Sequence, residues 1–136
     1  MITAIDTSVL LDIFGADLKF GLPSKQALRS CFSEGGLVAC EVVWTEVVSS
    51  FPSADVGLEA MNHLGIEFSP INLQTALAAS RTWKIYRSRR GQRGRVVADF
   101  LIGAHASHQA DRLLTRDRGF YRTYFHRLKV LDPQKL

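Results

Sequence analysis

Four carboxylate side chains stand at positions where they could act on a shared ligand. Asp6 and Asp117 each come at the end of a short apolar segment, and Glu46 and Asp99 fall near the starts of predicted helices. Carboxylates held together repel one another, so without a cation some would keep protons through raised pKa values. Oxygen ligands select hard cations, which predicts Mg²⁺ or Mn²⁺ rather than Zn²⁺.

Such a site favours in-line attack of metal-activated water on a phosphodiester bond. Two divalent ions about 3.5 to 4 Å apart would clamp the attacking and leaving oxygens, and one ion beside a protonated carboxylate is the alternative. Asp6 would bridge the metals, and Asp99 or Asp117 would orient the water. Taken singly, each acid is better explained as a surface residue at a helix start, where the dipole favours negative charge. A position directly after a strand strengthens the case for a role in the site only for Asp6 and Asp117.

The elements that must position these acids alternate between strands and helices. This rhythm predicts parallel strands joined by right-handed crossovers, with helices on both faces of the sheet. The predicted fold class is therefore α/β, a three-layer α/β/α domain with a central, mainly parallel sheet of four to five strands. The predicted strands are 2–5, 37–43, 66–68, 113–115 and 130–131. The predicted helices start at residue 7 and at Pro23 or Ser24, and then span 45–50, 53–65, 73–90 and 96–110.

Size and composition set the broad class of the chain. With 136 residues, 46% of them hydrophobic and 22% charged, one domain spanning 1–136 is expected. No apolar run approaches the roughly 20 residues of a membrane helix, and the first residues lack the basic region and cleavage site of a secretory signal. We therefore expect a cytoplasmic protein without a membrane segment. Cys31 and Cys40 lack the number and spacing of a disulfide or zinc framework and are interpreted as packing residues.

A basic segment lies between Arg81 and Arg95, with seven Lys or Arg residues and no acid, although the whole chain carries only +4. A merely solvated helix face is the ordinary explanation, but such a face would usually contain acids that pair at i,i+4. The uneven charge favours a phosphate-bearing partner. Arg93 and Arg95 are the predicted substrate-binding residues, because a glycine-flanked loop carries them close to Asp99. Trp83 is interpreted as a packing residue.

The four acids lie in motifs that resemble those of the PIN-domain family, and in particular of the VapC-type toxins of toxin–antitoxin pairs. The motifs occur in the family's order and span nearly the whole chain. They are IDTSVLLD at residues 5–12, VVWTEV at 42–47, DFLIGAHA at 99–106 and LLTRDRGF at 113–120, of which the last is the most specific. The resemblance implies a PIN-like nuclease domain, namely a Mg²⁺-dependent endoribonuclease that is usually a homodimer and is inhibited by a small cognate antitoxin protein.

Two other classes of function stay open beside this one. A PIN-like module could hold nucleic acid or protein without turnover, and a housekeeping nuclease could process RNA. An aspartyl-phosphate enzyme of the haloacid-dehalogenase type is disfavoured, because Ser8 stands where its second Asp would be. A receiver domain is disfavoured because Lys129 is badly placed for its conserved role.

Residues beside the acids receive supporting or packing roles. Ser8 and Thr115 are predicted to support the site, since Thr115 points to the same side of its strand as Asp117. Glu41, expected in the strand before Glu46, departs from the family pattern and is the weaker candidate of the two. The remaining assignments are those outside the cluster. Asp12, Asp111 and Asp132 could lie near the site but are better explained as surface acids, and His105 and His108 face away from the carboxylates. Arg116 and Arg118 flank Asp117, and either could pair with the cluster or contact RNA.

Overall fold

A five-stranded parallel sheet forms the centre of the structure. The computed structural model of the chain describes residues 1–89 and 94–135. The strand order is β3-β2-β1-β4-β5, and every neighbouring pair is parallel. The strands are β1 (Ile2–Ile5), β2 (Gly36–Ala39), β3 (Ile66–Phe68), β4 (Arg112–Leu114) and β5 (Val130–Leu131). The predicted α/β class, with its mainly parallel sheet of four to five strands, is confirmed.

Helices connect the strands and cover the sheet, giving the three-layer α/β/α arrangement. Polar side chains begin several of them: Ser53 accepts from the amide of Val56, and Asn72 accepts from that of Thr75. The helices are α1 (Thr7–Phe14), α2 (Gly21–Glu34), α3 (Glu41–Val48), α4 (Ala54–His63), α5 (Leu73–Ser88), α6 (Val97–Gln109) and α7 (Arg118–Tyr124), followed by a 3₁₀ turn at Pro133–Lys135.

The register of the central strands sets the position of the first acid. Ile5 of β1 pairs with Leu114 of β4, and the Asp6 amide donates to the Leu114 carbonyl at 3.0 Å. Asp6 and Thr115 are therefore neighbours at the carboxyl edge of the sheet. In open parallel sheets, ligands bind at this edge.

An aromatic cluster fixes the helices that carry the later acids. The buried Phe100 ring of α6 contacts Trp83 and Tyr86 of α5 and Phe120 and Tyr124 of α7, with ring centroids 5.2 to 5.6 Å apart. Such edge and tilted contacts add to the stability that comes from burying the rings. α5, α6 and α7 are therefore held together beside the sheet edge.

The structure corrects several predicted boundaries. β2 ends at Ala39 and α3 begins at Glu41, so the predicted strand 37–43 is too long and the predicted helix 45–50 starts too late. The apolar pair at 42–43 suggested a continuing strand, but Val43 and Val47 are buried four residues apart on one helical face. α2 begins at Gly21, before the predicted start. α7 was not predicted, and the predicted loop 91–94 lies mostly outside the described residues.

Among residues 1–89 and 94–135, no helix is long and apolar enough to cross a membrane. Cys31 and Cys40 are both buried and free, which confirms their interpretation as packing residues.

Candidate active site

Asp6 lies at the end of β1 and caps the N-terminus of α1. Its Oδ1 accepts from the Thr7 amide at 2.8 Å, and its Oδ2 accepts from the Thr115 hydroxyl at 2.6 Å and the Ser8 hydroxyl at 3.4 Å. The side chain is almost completely buried, with 7% of the residue exposed. Ser8 and Thr115 thus both contact the carboxylate that they were predicted to support.

The environment of Asp6 disfavours its negative charge. Burial is the largest effect and raises the pKa of Asp6 from 3.8 to about 6, against the lowering effect of the hydrogen bonds from Thr115 and Thr7. The nearby charges of Asp117 and Asp99 make a smaller contribution to this rise. A buried carboxylate beside other carboxylates is stabilised in its charged form by a cation.

Asp117 begins α7 and is held from two sides. Its amide donates to the Thr115 hydroxyl at 2.9 Å, so one threonine connects Asp117 to Asp6. Its carboxylate forms an ion pair with Arg95, and this hydrogen bond is the main reason that the pKa of Arg95 is raised. The Arg95 guanidinium also lies over the Phe120 ring, 4.1 Å from its centroid. Arg95, predicted to bind substrate, therefore contacts a predicted site acid.

Asp99 and Glu46 complete the group of four. Asp99 lies in the first turn of α6, where its Oδ2 accepts from the Val96 amide at 3.2 Å. Glu46 lies on α3 and is exposed, and its Oε1 accepts from the Thr7 hydroxyl at 2.7 Å. α3 contacts both α1 and α6, which brings this helix to the same edge of the sheet.

All four acids line one cavity of about 360 Å³ at the carboxyl edge of β1 and β4. Asp12, Ile102 and Arg116 also contribute to its wall. In the described part of the chain, however, no three acidic, His or Cys side chains come close enough together to hold a metal ion. The partners explain this spacing, since Asp117 is drawn to Arg95, Glu46 to Thr7 and Asp99 to the start of its own helix.

The chemistry of the donors nevertheless fits a hard divalent cation. Apart from the Arg116 guanidinium, the polar side chains that line the cavity in the described part of the chain offer carboxylate and hydroxyl oxygens, which Mg²⁺ and Mn²⁺ prefer as ligands. The pKa of Asp6 is raised mainly by burial, and the charges of Asp117 and Asp99 contribute to the rise. Asp6, Asp99, Asp117 and Glu46 are the residues that would hold such an ion.

The comparisons with known proteins agree with this architecture. A family model described as the PIN domain matches residues 3–126. The chain belongs to the PIN domain family. The resemblance predicted from the four motifs is therefore confirmed at the level of the family. No protein among the curated sequences was found to match.

Solved structures similar to this PIN domain cover nearly the whole chain. VapBC-1 from nontypeable Haemophilus influenzae has a TM-score of 0.74 at 17% identity, over 99% of this chain and 100% of that one. VapBC2 from Rickettsia felis, bound to a DNA fragment from its promoter, has a TM-score of 0.73 at 16% identity, over 97% and 98%. A toxin–antitoxin complex from Klebsiella pneumoniae has a TM-score of 0.68 at 19% identity, over 98% and 99%. These identities show a shared fold.

Other residues of this PIN domain lie in the cavity wall or close to the carboxylates, and of these the sequence did not indicate Tyr121. Asp12 is buried rather than on the surface, and Arg116 binds both of its oxygens, with Nε to Oδ2 at 2.6 Å and Nη2 to Oδ1 at 3.1 Å. The interpretation of Asp12 as a surface acid was therefore wrong. Tyr121 is buried close to the carboxylates: burial, together with the charges of Asp6 and its neighbours, raises its pKa well above 10. Tyr121 lies four residues after Asp117, and this helical spacing was the feature of the sequence that could have placed it near the acids.

Other candidates lie away from the cavity. Glu41 is the first residue of α3 rather than part of a strand, and both of its carboxylate oxygens accept from the Ile71 amide, at 3.0 and 3.3 Å. It therefore does not extend the acidic group. His105 is buried, and its Nε2 lies 2.9 Å from the Ser69 hydroxyl, which agrees with the prediction that it faces away. Arg93, the second predicted substrate-binding residue, lies outside the described residues.

Proposed function

We propose that this PIN domain, acting as one unit over residues 1–136, is a Mg²⁺- or Mn²⁺-dependent endoribonuclease. The observation that carries the proposal is the convergence of Asp6, Glu46, Asp99 and Asp117 on one cavity at the carboxyl edge of the sheet. A divalent cation bound there supplies charge neutralisation and activation of water at neutral pH. The substrate would be an RNA phosphodiester.

The side chains around the cavity have separate roles in this proposal. Asp6 is the central ligand, because it is buried and receives hydrogen bonds from three residues. Thr115 positions it and at the same time fixes the backbone of Asp117. Asp99 orients the attacking water, and Arg95 binds the substrate's phosphate groups. Hydrogen bonds to a metal-binding carboxylate hold it in place and tune its basicity.

Cleavage by the purified protein tests the proposal directly. The wild-type chain should cut single-stranded or structured RNA in the presence of Mg²⁺ or Mn²⁺, and Asp99→Asn should stop cleavage while keeping the same thermal unfolding profile. Asp111→Asn is the matched control, because Asp111 accepts from the Ile2 amide outside the cavity. Equal cutting by Asp99→Asn, or undiminished cutting in excess EDTA, would remove the assignment.

The proposed biological role is that of the toxin in a VapBC-type pair, acting in the cytoplasm as a homodimer and inhibited by a cognate antitoxin. The support is the motif resemblance together with the fold shared with VapBC complexes. Expression of the chain alone should arrest growth, and co-expression of a small upstream reading frame should restore it. Growth unaffected by the active chain would favour a housekeeping nuclease. Light scattering of the purified chain measures the oligomeric state.

A non-catalytic PIN module that holds nucleic acid is the second candidate. The observation in its favour is that two of the acids already have partners: Arg95 forms an ion pair with the Asp117 carboxylate, and the Thr7 hydroxyl donates to Glu46. Calorimetric titration with MnCl₂ separates the two candidates. Saturable Mn²⁺ binding that Asp6→Asn abolishes supports the nuclease, and absence of binding supports the module.

A further inference from the structure

A second cavity, of about 370 Å³, lies between the C-terminal end of α5 and α7. We call it the arginine cavity, and define it by Arg89, Arg95, Gly119, Phe120 and Tyr124. Arg95 connects it to the candidate active site, because its guanidinium pairs with Asp117 in the wall of the acidic cavity. Whatever occupies the arginine cavity is therefore next to the four carboxylates.

The two guanidinium groups in this cavity are held by aromatic rings. The Arg89 Cζ lies 5.0 Å from the Tyr124 ring centroid, and the Arg95 Cζ lies 4.1 Å from that of Phe120. The Arg95 amide also donates to the Tyr86 hydroxyl at 3.1 Å. A guanidinium held over a ring keeps its N–H donors at its edge available for other partners.

The charge of the cavity wall indicates the class of ligand. Within residues 1–89 and 94–135, no acidic side chain lines this cavity, and Arg89 forms no ion pair. The Arg89 guanidinium, together with the N–H donors of Arg95 other than Nη1, which pairs with Asp117, matches the oxygens of a phosphate group. The rings of Tyr124 and Phe120 are covered by these guanidinium groups, so stacking of a nucleobase on them is disfavoured.

We propose that the arginine cavity binds a backbone phosphate of the RNA strand, adjacent to the phosphate that is cut. The inference rests on the proposed nuclease function and adds a second contact point for its substrate. Arg95 lies between the two positions, so it connects binding of the strand to the acids. In this proposal the cavity recognises the charge of the RNA backbone.

Binding of RNA without cleavage tests the arginine cavity. The probe is a fluorescein-labelled, single-stranded oligouridylate, and anisotropy is measured over a range of salt concentrations in an Asp99→Asn background. Arg89→Gln should weaken binding about tenfold and make the slope of log K against log salt shallower by about 0.7. Arg89→Lys should keep the slope, since its charge remains. Arg29→Gln, an exposed arginine of α2 outside this cavity, should change neither quantity.

A pair of substitutions at Gly119 tests the same cavity without removing a native contact. A Cβ placed on Gly119 would meet no other atom within 4 Å, so a longer side chain has room. Gly119→Glu and Gly119→Gln differ in charge but hardly in shape. The Glu variant should bind oligouridylate about fivefold more weakly than the Gln variant, since it places an anion beside the bound phosphate. Thermal unfolding would confirm that both variants fold.

The outcomes separate this inference from the proposed function. If the wild-type chain cuts RNA but Arg89→Gln and Gly119→Glu bind it with unchanged affinity and slope, the arginine cavity is not a phosphate site and the inference is overturned. If both variants bind weakly while the wild-type chain cuts nothing with Mg²⁺ or Mn²⁺, the phosphate site stands and the nuclease assignment fails.

Discussion

Thr115 offers the sharpest test of how the candidate active site is built. Its side chain is completely buried, and its hydroxyl makes two hydrogen bonds: it donates to Asp6 Oδ2 at 2.6 Å and accepts from the Asp117 amide at 2.9 Å. Thr115→Val keeps the shape and removes both bonds. Thr115→Ser keeps the hydroxyl and removes one buried methyl group. The two variants therefore separate hydrogen bonding from packing.

The magnitudes follow from these contacts. A hydrogen bond to a charged group contributes about 1.5 to 3 kcal/mol, and an unpaired, partly buried amide costs about 1 kcal/mol more. Thr115→Val should thus lower the free energy of unfolding by about 2.5 to 4 kcal/mol at pH 8, where Asp6 is ionised. Thr115→Ser should lower it by only about 1 kcal/mol, the value of one buried methyl group. Denaturation in urea measures both.

The pH dependence of cleavage should change if Thr115 acts on Asp6, and it should stay the same if the role of Thr115 is purely structural. In the wild type, the hydrogen bond from the Thr115 hydroxyl lowers the pKa of Asp6. Loss of this hydroxyl should therefore raise the pKa of Asp6 above its wild-type value of about 6. The pH at which cleavage reaches half its maximum should therefore shift upward in Thr115→Val, with about 10- to 100-fold slower cleavage. Thr115→Ser should keep the wild-type pH profile. If Thr115→Val were as stable as Thr115→Ser and kept the same pH profile, the proposed positioning role would be refuted.

Three further predictions follow from other contacts. Arg95→Gln removes the ion pair of Asp117, so Mn²⁺ should bind more tightly while RNA binds more weakly. Calorimetry measures the first change and anisotropy the second. Weaker Mn²⁺ binding would contradict the reasoning. Burial lowers the pKa of His105 below 6.5, which means that the stability it contributes above pH 6.5 is lost as the pH falls through its lowered pKa. The stability advantage of the wild type over His105→Gln should thus shrink between pH 7 and pH 5 in urea denaturation, and a constant difference would contradict this. A Cβ at Gly103 would lie 2.4 Å from the Phe125 ring, so Gly103→Ala should destabilise by about 1 to 3 kcal/mol, less so in a Phe125→Leu background.

Much of the fold was predictable because its signals are local. Short apolar segments such as 2–5 and 113–115 end in polar residues, and this pattern placed Asp6 and Asp117 at one edge of a parallel sheet. The start of α3 was not predictable in this way. Val42 and Val43 are β-branched and favour strands on their own, but Val43 and Val47 are buried together on one face of the helix.

The contents of the site were less predictable than its location. Asp12 pairs with Arg116 across more than 100 positions of sequence, and no local pattern indicates such a partner. The ion pair between Arg95 and Asp117 is likewise a tertiary contact that no local pattern indicates. A sequence shows that a charge exists, whereas the tertiary structure decides which opposite charge neutralises it.

The arrangement of charges also explains why two neighbouring cavities are needed. Among the described residues, five carboxylates line the acidic cavity, and the one cation in its lining is Arg116, which Asp12 already engages. An RNA phosphate carries a negative charge, so this cavity alone would repel the group that it is proposed to cut. In our proposal the arginine cavity attracts the strand with the opposite charge and borders the acids through Arg95. A divalent cation held by Asp6, Glu46, Asp99 and Asp117 would neutralise their charge. Arg95, which pairs with Asp117, would then be available to a phosphate.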